Sequence, residues 1–128
     1  MSINVLDASA LMALLKREPG AEQTAAAIRR GAAMSTVNIS EVVAKLLESD
    51  LAPNIVRTML DELKIESIPF DNELAHRAGQ LRRPTRELGL SFADRACLAT
   101  AQVRDIPVLT ADKAWADLVI GVKVQLIR

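Results

Sequence analysis

Apolar residues along the chain fall into two patterns, short continuous runs and stripes at helical spacing. Ile3-Asn4-Val5-Leu6 predicts a buried strand, and residues 10–17 the helix after it. Glu18-Pro19-Gly20 breaks that helix, and residues 21–30 form a second one ended by Gly31. A short second strand spans 33–37. The clearest periodicity follows: Ile39, Val42, Val43, Leu46 and Leu47 fall on one helical face. After Ala52-Pro53 a second stripe runs through Ile55, Val56, Met59, Leu60 and Leu63. A third strand, 65–70, is interrupted by Pro69, and Leu74, Ala75, Ala78 and Leu81 mark a helix that Pro84 ends. Ser91–Val103 is an Ala-rich and therefore closely packed helix. A fourth strand covers 107–110, and residues 111–118 form a short helix. Residues 122–127 alternate apolar and polar, as a half-exposed edge strand does.

Strands that alternate with helices imply an α/β fold, with a mostly parallel central sheet of four to five strands flanked by helices. At 128 residues, the whole chain 1–128 reads as one domain with a real core. In such sheets the strand-to-helix turns share the carboxyl edge, where ligands bind. Acidic residues at those turns therefore decide the chemistry.

Composition narrows the partners. Sixteen basic residues balance sixteen acidic ones, so the molecule has no overall electrostatic footprint for nucleic acid. Phe70, Phe92 and Trp115 are its only aromatics, too few for a base-stacking platform. A nucleic-acid ligand would have to be held by its phosphates. No apolar run approaches the roughly 20 residues of a membrane span, and the N-terminus carries no secretory signal. The single cysteine, Cys97, excludes an internal disulfide and fits a reducing cytoplasm.

Four acids stand out, and each has a structural reading. Asp7 follows the first strand and can cap the next helix. Asn38-Ile39-Ser40-Glu41 fits a capping box, and Glu41 can also pair with Lys45 one turn on. Ser91-Phe92-Ala93-Asp94 repeats the box, and Asp112 can cap the short helix after the fourth strand. Together the acids say more. Asp7, Glu41 and Asp112 follow strands expected to be parallel, so their carboxylates converge. Two like charges about 4 Å apart repel by on the order of 4 kcal/mol at an effective dielectric near 20. A cap returns only about 1 kcal/mol. A hard divalent cation resolves the conflict, which favours a Mg²⁺ or Mn²⁺ site. Asp94 joins by inference, since no strand precedes its helix directly.

Other residues carry less. His76 is the only histidine and reads as a solvated surface residue; without a second His or Cys, the sequence disfavours zinc. Cys97 lies among Ala and Leu and reads as packing. No Gly-rich phosphate loop is present. His76-Arg77, Arg82-Arg83 and Arg86 form a local basic stretch, either a solvated face or, beside a metal, a seat for RNA phosphates at Arg82, Arg83 and Arg86.

Residues 5–11, 37–46, 89–101 and 108–115 (VLDASAL, VNISEVVAKL, GLSFADRACLATA and VLTADKAW) resemble the blocks of PIN-domain proteins. Length and closing strand resemble the VapC branch, toxin ribonucleases of type II toxin–antitoxin operons. The resemblance implies a three-layer PIN-like fold and assigns the catalytic acids to Asp7, Glu41, Asp94 and Asp112. Asp7 and Asp94 would hold Mg²⁺ or Mn²⁺ most directly, with Glu41 and Asp112 completing the pocket directly or through water. Ser9 and Thr110 match the small hydroxyl positions beside the first and fourth acids. The implied reaction is hydrolysis of a phosphodiester in structured RNA, tRNA or ribosomal RNA, by a metal-activated water. The implied partners are a VapB-type antitoxin, seated in a groove between the two apolar stripes, and a second copy of the chain.

Two other readings start from the same first acid. A phosphatase of the haloacid-dehalogenase kind needs a second Asp two residues later, where this chain has Ser9. A receiver-like metal-binding domain needs an acidic pair at the first strand and a phosphoacceptor after the third; here Asp7 is alone and Asp71 reads as a helix cap.

Overall fold

The structure, a computed structural model, describes residues 1–128. Its strands are β1 (Asn4–Leu6), β2 (Ala32–Ser35), β3 (Glu66–Ile68), β4 (Val108–Thr110) and β5 (Val124–Leu126). Its α-helices are α1 (Ala8–Leu15), α2 (Ala21–Arg30), α3 (Thr36–Leu47), α4 (Pro53–Glu62), α5 (Asn72–Gln80) and α6 (Phe92–Arg104). Two short 3₁₀ turns, Arg86–Leu88 and Lys113–Asp117, complete the chain.

The strands form one sheet in the order β3-β2-β1-β4-β5, and every pairing is parallel. The expected α/β fold is present. The closing strand pairs parallel with β4 and forms an edge, with Val124 half-buried and Leu126 exposed. From β1 the chain steps outward through β2 to β3, then crosses back to β4 on the other side of β1. The order of strands thus reverses between β1 and β4, which is where such sheets open a crevice at their carboxyl edge.

Strand alternation divides the core into two layers. Leu6, Met34 and Leu109 face the side covered by α1, α3 and Leu11, Val42, Leu46 and Val56. Val5, Ala33 and Val108 face Leu74, Ala78, Leu98, Ala101 and Trp115 on the other side. Helix α6 is buried from Ala96 to Ala101 without a break, and apart from Leu98 the run is made of small residues that allow close approach to the sheet and α5.

Most helix boundaries follow their caps. Gly20 and Gly31 bracket α2 with φ of +100° and +118°, in backbone conformations that side-chain-bearing residues rarely adopt. Asp71 caps α5 by accepting from the Leu74 amide at 3.0 Å. Strand and helix ends shift by one to three residues from expectation, and one shift bears on the site. Helix α3 begins at Thr36 with Ser35 as its cap, the Ser35 hydroxyl accepting from the Val37 amide at 3.2 Å. Asn38 is therefore inside the helix and no capping box forms there. Thr36 and Val37, β-branched and strand-like, are drawn into the helix by the stronger local signal of the serine cap.

Candidate metal centre

The crevice between β1 and β4 is built around Asp7, which is only 6% exposed. Its Oδ1 accepts from the Ala10 amide at 2.8 Å and from the Ser9 hydroxyl at 2.7 Å. Its Oδ2 accepts from Thr110 Oγ1 at 2.6 Å, a contact that joins the ends of the two strands. Ser9 Oγ in turn accepts from the Ala111 amide at 2.9 Å, and Thr110 Oγ1 from the Asp112 amide at 3.0 Å. Each hydroxyl has one proton and gives it to Asp7. The 3.3 Å approach of Ser9 Oγ to Thr110 Oγ1 is therefore a packing contact between two oxygens.

Burial raises the Asp7 carboxyl above the usual carboxylate range, and the charge of Asp94 adds to the rise. The hydrogen bonds from Thr110, Ser9 and the Ala10 amide oppose it without cancelling it. Two of the groups that Asp7 engages are thus dedicated to keeping it ionised in a place that disfavours charge.

Asp94 lies in the first turn of α6, half-buried. The capping box read from the sequence is complete: Ser91 Oγ accepts from the Asp94 amide, and Asp94 Oδ2 from the Ser91 amide, both at 3.1 Å. Being a cap has not removed Asp94 from the centre, because its charge still reaches Asp7. Glu41 is half-buried on α3 and accepts from Asn38 Nδ2 at 3.0 Å. No ion pair with Lys45 forms. Asp112 is exposed and turned to cap the 3₁₀ turn, accepting from the Ala114 amide at 3.0 Å. It meets the centre through its own amide and Thr110.

Cys97 reports where the charges gather. It is fully buried, and its thiol is pushed far up first by burial and then by Asp7, Asp94 and Glu41. Three carboxylates from three elements thus act on one buried point. The ion pairs of the chain, Arg57–Asp61, Arg104–Glu66 and Arg128–Glu18, involve none of them. No three His, Cys, Asp or Glu side chains stand close enough together to hold a metal ion among them. The donors present, hard carboxylate oxygens in a partly open arrangement, fit an ion such as Mg²⁺, which keeps several waters and takes one or two carboxylates. They do not fit zinc.

One residue of the centre was misread in the sequence. Asn38 is 1% exposed and donates through Nδ2 both to Glu41 and to the Ala93 carbonyl, the latter at 3.1 Å. Its Oδ1 is buried without a donor from the protein. The available signal was its position one helical turn before Glu41 and beside the buried Val42.

The basic stretch lies apart. Arg82, Arg83 and Arg86 are exposed, and His76 is exposed on α5. Arg83 and Arg86 line a hollow of about 620 Å³ with Leu88, Asp117, Leu118 and Ile120, and none of the four acids lines it. A larger groove of about 1060 Å³ opens between α3 and α4, lined by Ile39, Val43, Val56, Leu60 and Ile65, with Arg57 at its rim. The two apolar stripes are thus only partly covered by the core.

Fold and site together define a class: a parallel α/β domain with an acidic centre at its topological switch point. Residues 5–120 match the PIN domain model. The chain belongs to the PIN-domain family, and PIN domains are nucleases. Among solved structures, the DNA-bound VapBC of Salmonella typhimurium superposes with a TM-score of 0.77 at 16% identity, covering 100% of both chains. A toxin–antitoxin complex from Klebsiella pneumoniae gives 0.71 at 23% identity, covering 94% of this chain and 98% of that one. VapBC-5 of Mycobacterium tuberculosis gives 0.60 at 23%, covering 100% and 99%. These likenesses concern the fold. No curated protein matches the chain in sequence. No helix is long and apolar enough to cross a membrane.

Proposed function

We propose that this protein is a divalent-metal-dependent endoribonuclease, the toxin of a VapBC-type pair, acting on structured RNA in the cytoplasm. The observation that carries the reading is Asp7: a buried carboxylate, kept ionised by two hydroxyls, facing the charge of Asp94 with no cation of the protein to answer it. Mg²⁺ or Mn²⁺ is the counter-charge that makes this arrangement stable. Asp7 and Asp94 would hold the ion, with Glu41 and Asp112 contributing directly or through water.

When bound, the ion neutralises charge on the phosphoryl oxygens and lowers the pKa of a water. The residues do the rest. Ser9 and the Ala10 amide occupy Oδ1 of Asp7 and Thr110 half of Oδ2, so that the one lone pair left free, on Oδ2, has a fixed direction. Ser91 fixes Asp94, and Asn38 fixes Glu41. Asp7, Asp94 and Glu41 supply the carboxylate oxygens of the centre. Ser9 and Thr110 donate their hydrogen bonds to Asp7, and burial holds Cys97 as a thiol. Thr110 and Cys97 are fully buried and out of reach of a phosphodiester, which favours direct attack by water. Asp7 is bonded by Ser9 where a dehalogenase would need its second Asp, which weighs against the phosphatase reading.

The groove between α3 and α4 supports a second part of the reading. Its volume and largely apolar lining suit an amphipathic segment of a VapB-type antitoxin. Solved relatives of this fold are named as complexes with such partners, some on DNA. The homodimer expected from the sequence belongs to the same proposal.

The test uses purified protein and a pool of tRNA and ribosomal RNA. Cutting should require Mg²⁺ or Mn²⁺, stop with EDTA, and be lost in Asp94→Asn. That variant keeps an oxygen for the Ser91 amide, so its stability in EDTA should change by less than about 1 kcal/mol. Wild type at 100 times its metal Kd should gain about 2.7 kcal/mol. Asp94→Asn should gain much less at the same concentration. RNA cleavage that persists unchanged in EDTA would refute the metal mechanism.

A further inference from the structure

We infer that Asn38 is a positioning residue of the acidic centre, joining the helix that carries Glu41 to the helix that carries Asp94; the inference rests on the metal-centre reading above. Its Nδ2 has two protons and both are used, one on Glu41 Oε1 at 3.0 Å and one on the Ala93 carbonyl at 3.1 Å. Ala93 immediately precedes Asp94. A single amide nitrogen therefore fixes the Glu41 carboxylate against the first turn of α6. The two acceptors also settle which way the amide faces, with Oδ1 away from both.

The residue type follows from the charges around it. A lysine here would neutralise Glu41 and compete with a divalent ion. An aspartate would repel Glu41 and could not donate to the Ala93 carbonyl. A neutral donor with two protons on one atom satisfies both acceptors and leaves the negative charge of the centre intact. At 1% exposure the Asn38 amide itself is shielded from bulk water. Groups that orient ligating carboxylates in this way commonly change metal affinity 10- to 100-fold when removed.

The distinguishing experiment is calorimetric titration of Mn²⁺ into wild type, Asn38→Leu, Asn38→Ser and Thr24→Val, with melting in EDTA alongside. Asn38→Leu keeps the shape and deletes the whole amide, including the unpaired oxygen; Ala93 remains within α6. Asn38→Ser is the smaller alternative should the first variant not fold. Thr24→Val removes a different buried hydrogen bond, to the Ala10 carbonyl at 3.0 Å, and controls for general loosening. Both Asn38 variants should bind Mn²⁺ at least about tenfold more weakly, while Thr24→Val should bind as wild type. The same variants should lose kcat on RNA with KM little changed. Wild-type Mn²⁺ affinity in the Asn38 variants would overturn the inference, as would an equal loss in Thr24→Val. Absence of Mn²⁺ binding in wild type would instead overturn the metal centre itself, and this inference with it.

Discussion

Thr110 Oγ1 stands 2.6 Å from Asp7 Oδ2, so that the last residue of β4 holds the residue just after β1 across 103 positions of sequence. The hydroxyl is fully buried, and Asp7 Oδ2 is its nearest acceptor, with Ser9 Oγ farther off at 3.3 Å. It fixes the carboxylate, supports its charge and receives the Asp112 amide on its own lone pair.

Thr110→Val tests that bond at constant shape. Hydrogen bonds to charged groups contribute roughly 1.5–3 kcal/mol. The variant should lose about 2 kcal/mol in urea unfolding at neutral pH in EDTA. The deficit should shrink in acid, where Asp7 is protonated in both proteins. A uniform deficit at every pH would mean that the hydroxyl serves packing and not the charge.

Asp7 itself sets a pH dependence in the metal-free protein. Its folded carboxyl titrates above the ordinary value of 3.8, so the folded state binds that proton more tightly than the unfolded chain. Its contribution to stability is full below the ordinary value and is lost as pH rises through the raised one. Asp7→Asn removes the dependence, so it should gain on wild type over that interval in EDTA. Glu66 acts in the opposite sense, lowered by its bonds from Arg104 and Ser2, and cancels in the comparison because both proteins contain it. Added Mn²⁺ should reverse the ranking. A constant difference between the two proteins across pH would exclude the raised carboxyl.

The arginines are tested by salt. Replacing Arg82, Arg83 and Arg86 by Ala should weaken RNA binding and flatten its dependence on salt, by up to about three phosphate contacts. Mn²⁺ affinity should be unchanged, since none of the three lies among the acids. An unaltered slope would return them to an ordinary solvated face.

The groove is tested by charge. Val43→Lys places an ammonium among Ile39, Val56 and Leu60. Val43 is half-buried, so the fold should lose only about 1 kcal/mol. Affinity for the proposed antitoxin should fall at least about 100-fold, a loss of roughly 2.7 kcal/mol, while the proposed RNA cleavage by the free protein persists. Antitoxin binding equal to wild type would place the partner on another face.

Much of this molecule could be read before its structure. The short apolar runs at Val5-Leu6 and Val108-Leu109 are strands because both faces of a parallel sheet are buried, and that pattern is local. The Ser91–Asp94 box and the Asp71 cap were legible for the same reason, since both partners lie within one turn. The start of α3 was not, because β-branched Thr36 and Val37 favour a strand while Ser35 alone caps the helix. Nor was Asn38, whose second acceptor is 55 residues away. Strand order, the exposure of Asp112 and the hold of Thr110 on Asp7 all depend on crossovers that no local pattern encodes.

The reversal of strand order between β1 and β4 has a consequence for when this protein can act. Asp7 emerges among the first residues made, but the hydroxyl that completes its cradle is at Thr110 and the amide behind that hydroxyl at Asp112. No fragment lacking the last sixth of the chain holds both halves. A nascent chain still threaded through the ribosome is therefore without its completed acidic centre. On the proposed reading as an RNA nuclease, synthesis ends before cutting can begin.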